Sequence, residues 1–348
     1  MTVSLHAEPI TMGFVRNFSI ARGSRSAAEN VLVRVEAGGV VGWGENAPNR
    51  YYFSQEQRTA VQAAREMGSC LGEDLMATEA IHERLLDAFP TQPGARAAVD
   101  IAVHDWVGRR LGVPVASLLG LPTGLRMPTS FTISLGDRGS VAEAVEAADG
   151  WPLLKVKLGG GDDLGLMETI RGLTDALIRV DANAAWSVPE AIEKCRALGE
   201  MNVELVEQPI EPGRPEDLRR IREAVGVPIV ADEDSRDSRD LAALVGCVDG
   251  VNIKLAKTGG LREGFRMALA ARAMGLDVMI GTMAEGVLGT SAAVQLIPLA
   301  RWADLDGPLL LRAEDDPFVG LSYEEGMILM PRGPGLGVTR AEDPAQPD

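Results

Sequence analysis

The chain has 348 residues, with 34 Lys and Arg against 50 Asp and Glu, and a formal net charge of −16. Hydrophobic residues make up 46% and charged residues 24%, the composition of a globular chain with a substantial core rather than a disordered or fibrous one. The acidic balance argues against nucleic acid and an anionic membrane surface as main partners, while leaving room for a local basic pocket.

Residues 1–122 read as a mixed α+β unit. Val31-Leu32-Val33-Arg34-Val35 alternates as a strand, Gly38-Gly39 turns the chain, and residues 40–45 return as its hairpin partner. Helical spacing follows over 56–67, 77–88 and 95–110, the last broken on its apolar face only by Asp105. Gly120-Leu121-Pro122-Thr123-Gly124 is a linker. From Thr129 the pattern becomes a repeat: β-rich runs at 129–134, 153–157, 177–181, 203–207, 228–232, 250–254, 277–281 and 301–304, each followed by a helical stretch. Their ends recur every 22 to 27 residues. With no dinucleotide or phosphate-loop motif after any strand, this period favours a closed (β/α) barrel over 123–308 rather than an open doubly wound sheet. Residues 309–340 must pack elsewhere, the α+β unit being one candidate, and the acidic tail 341–348 is expected to be disordered.

The three histidines, His6, His82 and His104, all lie in the first third, so the barrel must work without imidazole. Cys70, Cys195 and Cys247 are odd in number and widely spaced, as expected of buried free thiols. The first ten residues lack a basic and apolar leader pattern, and the most apolar stretch, 286–300, is too short to cross a bilayer. A cytoplasmic enzyme is expected.

Active sites of parallel barrels sit at the C-terminal strand ends. There the sequence places Lys155 and Lys157, Asp181, Glu207, Asp232, Lys254, and Asp304 with Asp306. Asp181, Glu207 and Asp232 end three consecutive runs. Carboxylates brought that close repel unless a cation lies between them, and an all-oxygen set suits one Mg²⁺, with Mn²⁺ as the alternative. Asn183 could assist by hydrogen bonding. Lys155 and Lys157 share one face of a strand, where each is expected to lower the other's pKa. Lys254 ends a strand on the far side of the acids. Two lysines flanking a metal suit abstraction of a proton α to a carboxylate, one lysine removing it and the other returning it to the opposite face. A lysine Schiff-base aldolase and a non-catalytic sugar- or peptide-binding barrel remain open on these residues alone.

As an ordered set, Lys155-Val156-Lys157, Asp181-Ala182-Asn183, Glu207-Gln208-Pro209, Ala231-Asp232-Glu233 and Asn252-Ile253-Lys254 resemble the enolase superfamily in its muconate-lactonizing-enzyme subgroup. Gly42-Trp43-Gly44-Glu45 and Pro334-Gly335-Leu336-Gly337 are similar to that family's capping domain, so the likeness covers nearly the whole chain. The mandelate-racemase-like subgroup would need a late histidine, which is absent. The resemblance implies a (β/α)7β barrel with an N-terminal α+β capping domain completed by the C-terminal segment, and a homo-oligomer. It also implies Lys157 and Lys254 as the two acid/base catalysts, with Lys155 tuning Lys157 and helping to neutralise the enediolate. Ala303-Asp304-Leu305-Asp306-Gly307 is similar to the D-x-D of the dipeptide epimerases, where the two aspartates hold the substrate's α-ammonium. Thr132 would be a substrate contact. Residues 18–25 look like the loop that covers the substrate, with Arg22 placed to pair with a Glu side chain, and Asn46, Asn49, Arg50, Tyr51 and Tyr52 form a second candidate specificity loop. The implied activity is 1,1-proton transfer on a dipeptide such as L-Ala-D/L-Glu, as in recycling of cell-wall peptides. A cycloisomerase, an N-acylamino acid racemase or an o-succinylbenzoate synthase is the alternative. Asp234 departs from the family's usual serine after Ala-Asp-Glu.

Overall fold

The computed structural model describes residues 2–20, 23–48, 55–148 and 150–341. The chain opens with an antiparallel sheet of β1 (Val3–Ile20), β2 (Gly23–Ala37) and β3 (Val40–Asn46), joined in that order. β1 escapes the sequence pattern because it is an edge strand with mostly half-exposed side chains, so it carries little hydrophobic alternation. Its far end is not an irregular loop. In the expected substrate-covering segment, Phe18, Ser19 and Ile20 pair with Arg25, Ser24 and Gly23.

Three helices, Gln57–Glu66, Thr78–Ala88 and Pro93–Leu111, back this sheet. The third is buried along most of its length. β3 lies against it backbone to backbone: a Cβ on Gly44 would stand 2.0 Å from the Ala98 carbonyl oxygen and 2.6 Å from the Ala102 nitrogen. Strand alternation then sends Trp43 and Glu45 the other way. Trp43 meets Phe318 edge-on at 5.6 Å, and Glu45 accepts the Gly286 and Gly289 amides at 2.8 and 3.0 Å. Asp105, the polar break in the helix pattern, is wholly buried and accepts hydrogen bonds from the Trp43 and Leu336 amides and from Arg109. His104 is held within its own helix by the Asp100 carbonyl at 2.8 Å, a structural setting.

After the short β4 (Arg126–Pro128) come eight parallel strands: β5 (Phe131–Ile133), β6 (Leu153–Lys157), β7 (Leu177–Asp181), β8 (Val203–Glu207), β9 (Ile229–Ala231), β10 (Gly250–Lys254), β11 (Asp277–Gly281) and β12 (Trp302–Asp304). They neighbour one another in chain order, and a parallel bridge between Thr129 and Ala303 brings the last strand to the first. Helical crossovers join consecutive strands, while β12 is followed only by the four-residue helix Gly307–Leu310, giving a (β/α)7β barrel. The remaining strands, β13 (Phe318–Val319), β14 (Ser322–Glu324), β15 (Met327–Leu329) and β16 (Thr339–Arg340), form small sheets, β15 pairing with β4. The segment also touches the N-terminal unit, where the Val115 amide donates to the Gly335 carbonyl at 2.9 Å. Cys70, Cys195 and Cys247 are buried free thiols. Residues 342–348 of the expected disordered tail lie outside the described residues.

Gly44→Ala tests the close approach of β3 to its helix. The substitution forces two backbones apart and should cost roughly 1–3 kcal/mol or more in urea unfolding.

Candidate active site

Period-two alternation sorts the barrel strands. Val156, Val180, Val206, Ala231, Ile253, Ile280 and Ala303 point outward into the core shared with the helices. Their neighbours point inward. Leu205, Val230, Met279 and Trp302 form an apolar inner layer. One step further toward the C-terminal ends stand Lys157, Asp181, Glu207, Asp232, Lys254 and Asp304. Register puts Lys157 beside Asp181, Asp181 beside Glu207, and Gly281 between Lys254 and Asp304. Gly281 has to lack a side chain, because its Cβ would fall 2.6 Å from Asn252 Oδ1.

Asp181, Glu207 and Asp232 are completely buried, and each divides its two oxygens in the same way. One oxygen is held by a fixed donor: Asp181 Oδ1 by the Asn183 amide at 2.9 Å, Glu207 Oε1 by Asn252 Nδ2 at 2.7 Å, and Asp232 Oδ1 by Lys257 Nζ at 2.5 Å. The other faces a cavity lysine: Asp181 Oδ2 meets Lys157 at 2.6 Å, Glu207 Oε2 meets Lys155 at 2.6 Å, and Asp232 Oδ2 meets Lys254 at 2.8 Å. The Glu207–Lys155 contact is an ion pair misaligned for a hydrogen bond.

Burial alone would raise these acids, but Lys254 and Lys257 hold Asp232 well below the usual carboxylate range, and Lys157 and Lys155 hold Asp181 below it. Glu207 goes the other way, raised by burial and by Asp181. Lys155 corrects the expectation of a depressed pKa. Burial disfavours its charge, yet Asp304, Glu207 and Asp181 surround it and hold it well above the ordinary lysine value. Lys254 is raised by Asp232 and Glu207 against the same burial.

The donor chemistry of this row fits a hard divalent cation. Three carboxylates from adjacent strands turn one oxygen each toward a lysine that lines the cavity and are anchored by the other. Among the described residues no three acidic side chains close into a metal cage, and the lysine ammonium groups stand between them.

The D-x-D pair lies across the row. Asp304 accepts Ser130 Oγ and Lys155 Nζ, both at 2.6 Å, and Asp306 accepts the Thr132 amide at 2.6 Å. Burial, reinforced by Asp304, pushes Asp306 up to about 7.

A cavity over these groups is lined by Lys155, Lys157, Lys254, Asp304, Asp306 and Thr132 from the barrel, and by Phe14, Phe18, Ile20 and Arg25 from the β1–β2 hairpin. The hairpin is tied down by the Leu135 amide donating to the Ser19 carbonyl at 2.9 Å and stiffened by Phe14 stacked on Phe18 at 5.3 Å. Arg22 lies outside the described residues, as do Asn49, Arg50, Tyr51 and Tyr52. Asn46 does not line this cavity. It is buried and donates to Glu285 Oε1, so it sits where the N-terminal unit meets the barrel.

Sequence reasoning assigned no individual role to Lys257, Asn252, Ser130 or Arg25. Lys257 alone had a usable signal, one helical turn after Lys254. Asp234 acquires an account. Its Oδ2 accepts Gln208 Nε2 at 2.7 Å and its Oδ1 accepts the Gly213 amide at 2.6 Å, while Gln208 Oε1 accepts the Asp232 amide at 2.9 Å. Gln208 and Asn183 have φ of 37° and 45°, strained values for residues other than glycine, directly beyond two of the carboxylates. Asp234 helps to hold that backbone.

Residues 6–120 match the mandelate racemase / muconate lactonizing enzyme N-terminal domain, and residues 139–344 match the enolase C-terminal domain-like family. The chain belongs to the mandelate racemase / muconate lactonizing enzyme family, within the enolase superfamily. Among its relatives in this family, the L-Ala-D/L-Glu epimerase of Bacteroides thetaiotaomicron is 36% identical over 93% of this chain and 84% of its own length. The hydrophobic dipeptide epimerase of Roseobacter litoralis is 34% identical over 91% of this chain and 93% of its own. The solved dipeptide epimerase of Cytophaga hutchinsonii, complexed with Mg and the dipeptide D-Ala-L-Val, superposes with a TM-score of 0.93 at 27% identity, covering 99% of this chain and 97% of that one.

Asp234→Ala should leave Gln208 Nε2 and the Gly213 amide without their acceptor. A loss of roughly 1–3 kcal/mol in urea unfolding is expected, and an unchanged midpoint would show that the brace is idle.

Proposed function

We propose that this chain is a Mg²⁺-dependent dipeptide epimerase that moves a proton between the two faces of the α-carbon of the C-terminal residue. The observation that carries the reading is the pairing of two lysines with an acid pair in one cavity: Lys157 and Lys254 flank the carboxylate row, and Asp304 and Asp306 open into the same space. The likeness to dipeptide epimerases over nearly the whole chain supports it.

Asp181, Glu207 and Asp232 would hold the ion, which when bound supplies positive charge against that developing on the substrate carboxylate. Lys157 takes the α-proton from one face and Lys254 delivers one to the other, their roles exchanging with the direction of reaction. Lys155, enclosed by Asp304 and Glu207, stays protonated and offsets negative charge beside Lys157. Asp304 and Asp306 receive the dipeptide's ammonium, Asp306 being oriented by the Thr132 amide. A cycloisomerase or o-succinylbenzoate synthase has no use for that acid pair. For the side chains we favour L-Ala-D/L-Glu, with Arg25 on the cavity wall as a partner for the Glu carboxylate and Arg22, outside the described residues, kept as the second candidate from the sequence. The division of the chain near residues 122, 308 and 340, a homo-oligomeric assembly and a cytoplasmic location belong to the same proposal. Among the described residues, no helix is long and apolar enough to cross a membrane.

A dipeptide library incubated in D₂O with Mg²⁺ should give products one mass unit heavier, and EDTA should stop the exchange. Lys157→Ala and Lys254→Ala should each lower epimerisation by roughly 10²–10⁴-fold. Absence of exchange with every dipeptide would sink the assignment, and full epimerisation by either lysine variant would sink the two-base scheme.

Asp306 gives the pH dependence its sign. Its folded-state pKa is raised to about 7, so it is increasingly neutral below that pH and increasingly able to attract an ammonium above it. The kcat/KM for dipeptides should therefore fall as pH drops through about 7, and Asp306→Asn should lower kcat/KM and remove that limb. A variant profile with the limb intact would show that Asp306 does not hold the ammonium.

A further inference from the structure

Lys257 lies on the short helix Leu255–Thr258 and is not among the residues that line the cavity. Its side chain is fully enclosed. An ammonium group has three N–H bonds to donate, and here three acceptors surround it: Asp232 Oδ1 at 2.5 Å, the Asp232 carbonyl at 2.6 Å and the Asn252 carbonyl at 2.8 Å. Two of the three belong to one residue, so Lys257 grips Asp232 by backbone and side chain together. The third belongs to Asn252, whose own amide holds Glu207 Oε1. A single buried ammonium thus braces Asp232 directly and meets only the backbone of the residue that holds Glu207.

We propose that Lys257 is a positioning residue that turns Asp232 Oδ1 away from the cavity and leaves Oδ2 as the one preset oxygen for an incoming cation. It touches neither the substrate nor the reacting atoms. The inference rests on the reading of Asp181, Glu207 and Asp232 as cation ligands. It goes beyond that reading by assigning a cation-ordering role to a residue outside the cavity.

The test is calorimetric titration of the EDTA-stripped full chain with MgCl₂, with a thermal melt in the absence of Mg²⁺ to report folding. Lys257→Met should melt cooperatively yet bind Mg²⁺ roughly 10–100-fold more weakly, in line with the loss of a ligand's supporting partner. Epimerisation should then recover toward the wild-type kcat at saturating Mg²⁺. On an Asp232→Asn background the same change should weaken Mg²⁺ binding less than about twofold further, because Lys257 acts through Asp232. Mg²⁺ affinity of Lys257→Met within about twofold of wild type overturns the proposal, as does full additivity with Asp232→Asn. Should Lys257→Met not fold, Lys257→Gln is measured instead, and failure of both to fold overturns the proposal by making the residue a core support. Wild-type protein that binds no Mg²⁺ would refute the ligand reading itself, an outcome distinct from a silent Lys257 variant.

Discussion

Three carboxylates cannot remain ionised side by side inside a barrel without positive charge between them. Two like charges about 4 Å apart repel by about 4 kcal/mol near a protein surface and by more in a drier interior. The structure meets this constraint by splitting each carboxylate. The inner oxygen takes a donor that cannot leave: a backbone amide for Asp181, the Asn252 side chain for Glu207 and the saturated ammonium of Lys257 for Asp232. The outer oxygen takes a lysine from the cavity. Much of the local architecture follows from this division, including the missing side chain at Gly281, which makes room for Asn252, and the strained turn at Gln208.

Chemistry and shape come from different parts of the chain. The charged groups stand on barrel strands, whose backbone is fixed by register on both sides. The apolar wall comes from the β1–β2 hairpin and from Thr282, Met283 and Ala284 beyond β11. That second wall is itself held by the N-terminal unit: Asn30 donates to the Ala284 carbonyl at 2.9 Å, and Glu45 accepts the Gly286 amide. Side-chain preference can therefore change by a few wall residues while the barrel stays as it is.

The barrel and its charged rim were legible because closure imposes a strict pattern. Each strand must present apolar residues outward to helices, and each inward face must end in something that tolerates the mouth, so Asp181, Glu207, Asp232 and Lys254 stand out as charges closing apolar runs. β1 was not legible, because an edge strand facing solvent has no reason to alternate. Lys257 and Asn252 were hidden for another reason. Their partners are 25 and 45 residues away in sequence, and only barrel register brings them together. The pKa of Lys155 was misjudged because a strand repeat reveals the neighbouring lysine two positions away but not Asp304, which arrives from the other end of the barrel.

The charge that matters is local, and it sets a condition on the lysines. Lys254 is held protonated chiefly by Asp232 and Glu207. A lysine in that state can give a proton but cannot take one. A cation held by the outer oxygens would offset the negative charge that favours protonated Lys254, so in the proposed scheme its base strength depends on a filled site. The same logic explains why Lys257 is satisfied on all three of its N–H bonds and kept out of the cavity: a second mobile ammonium at Asp232 would compete for Oδ2 and blunt the exchange. Under the proposed scheme a barrel without histidine runs proton transfer on lysine alone, with the carboxylates beside Lys254 setting the charge that it carries.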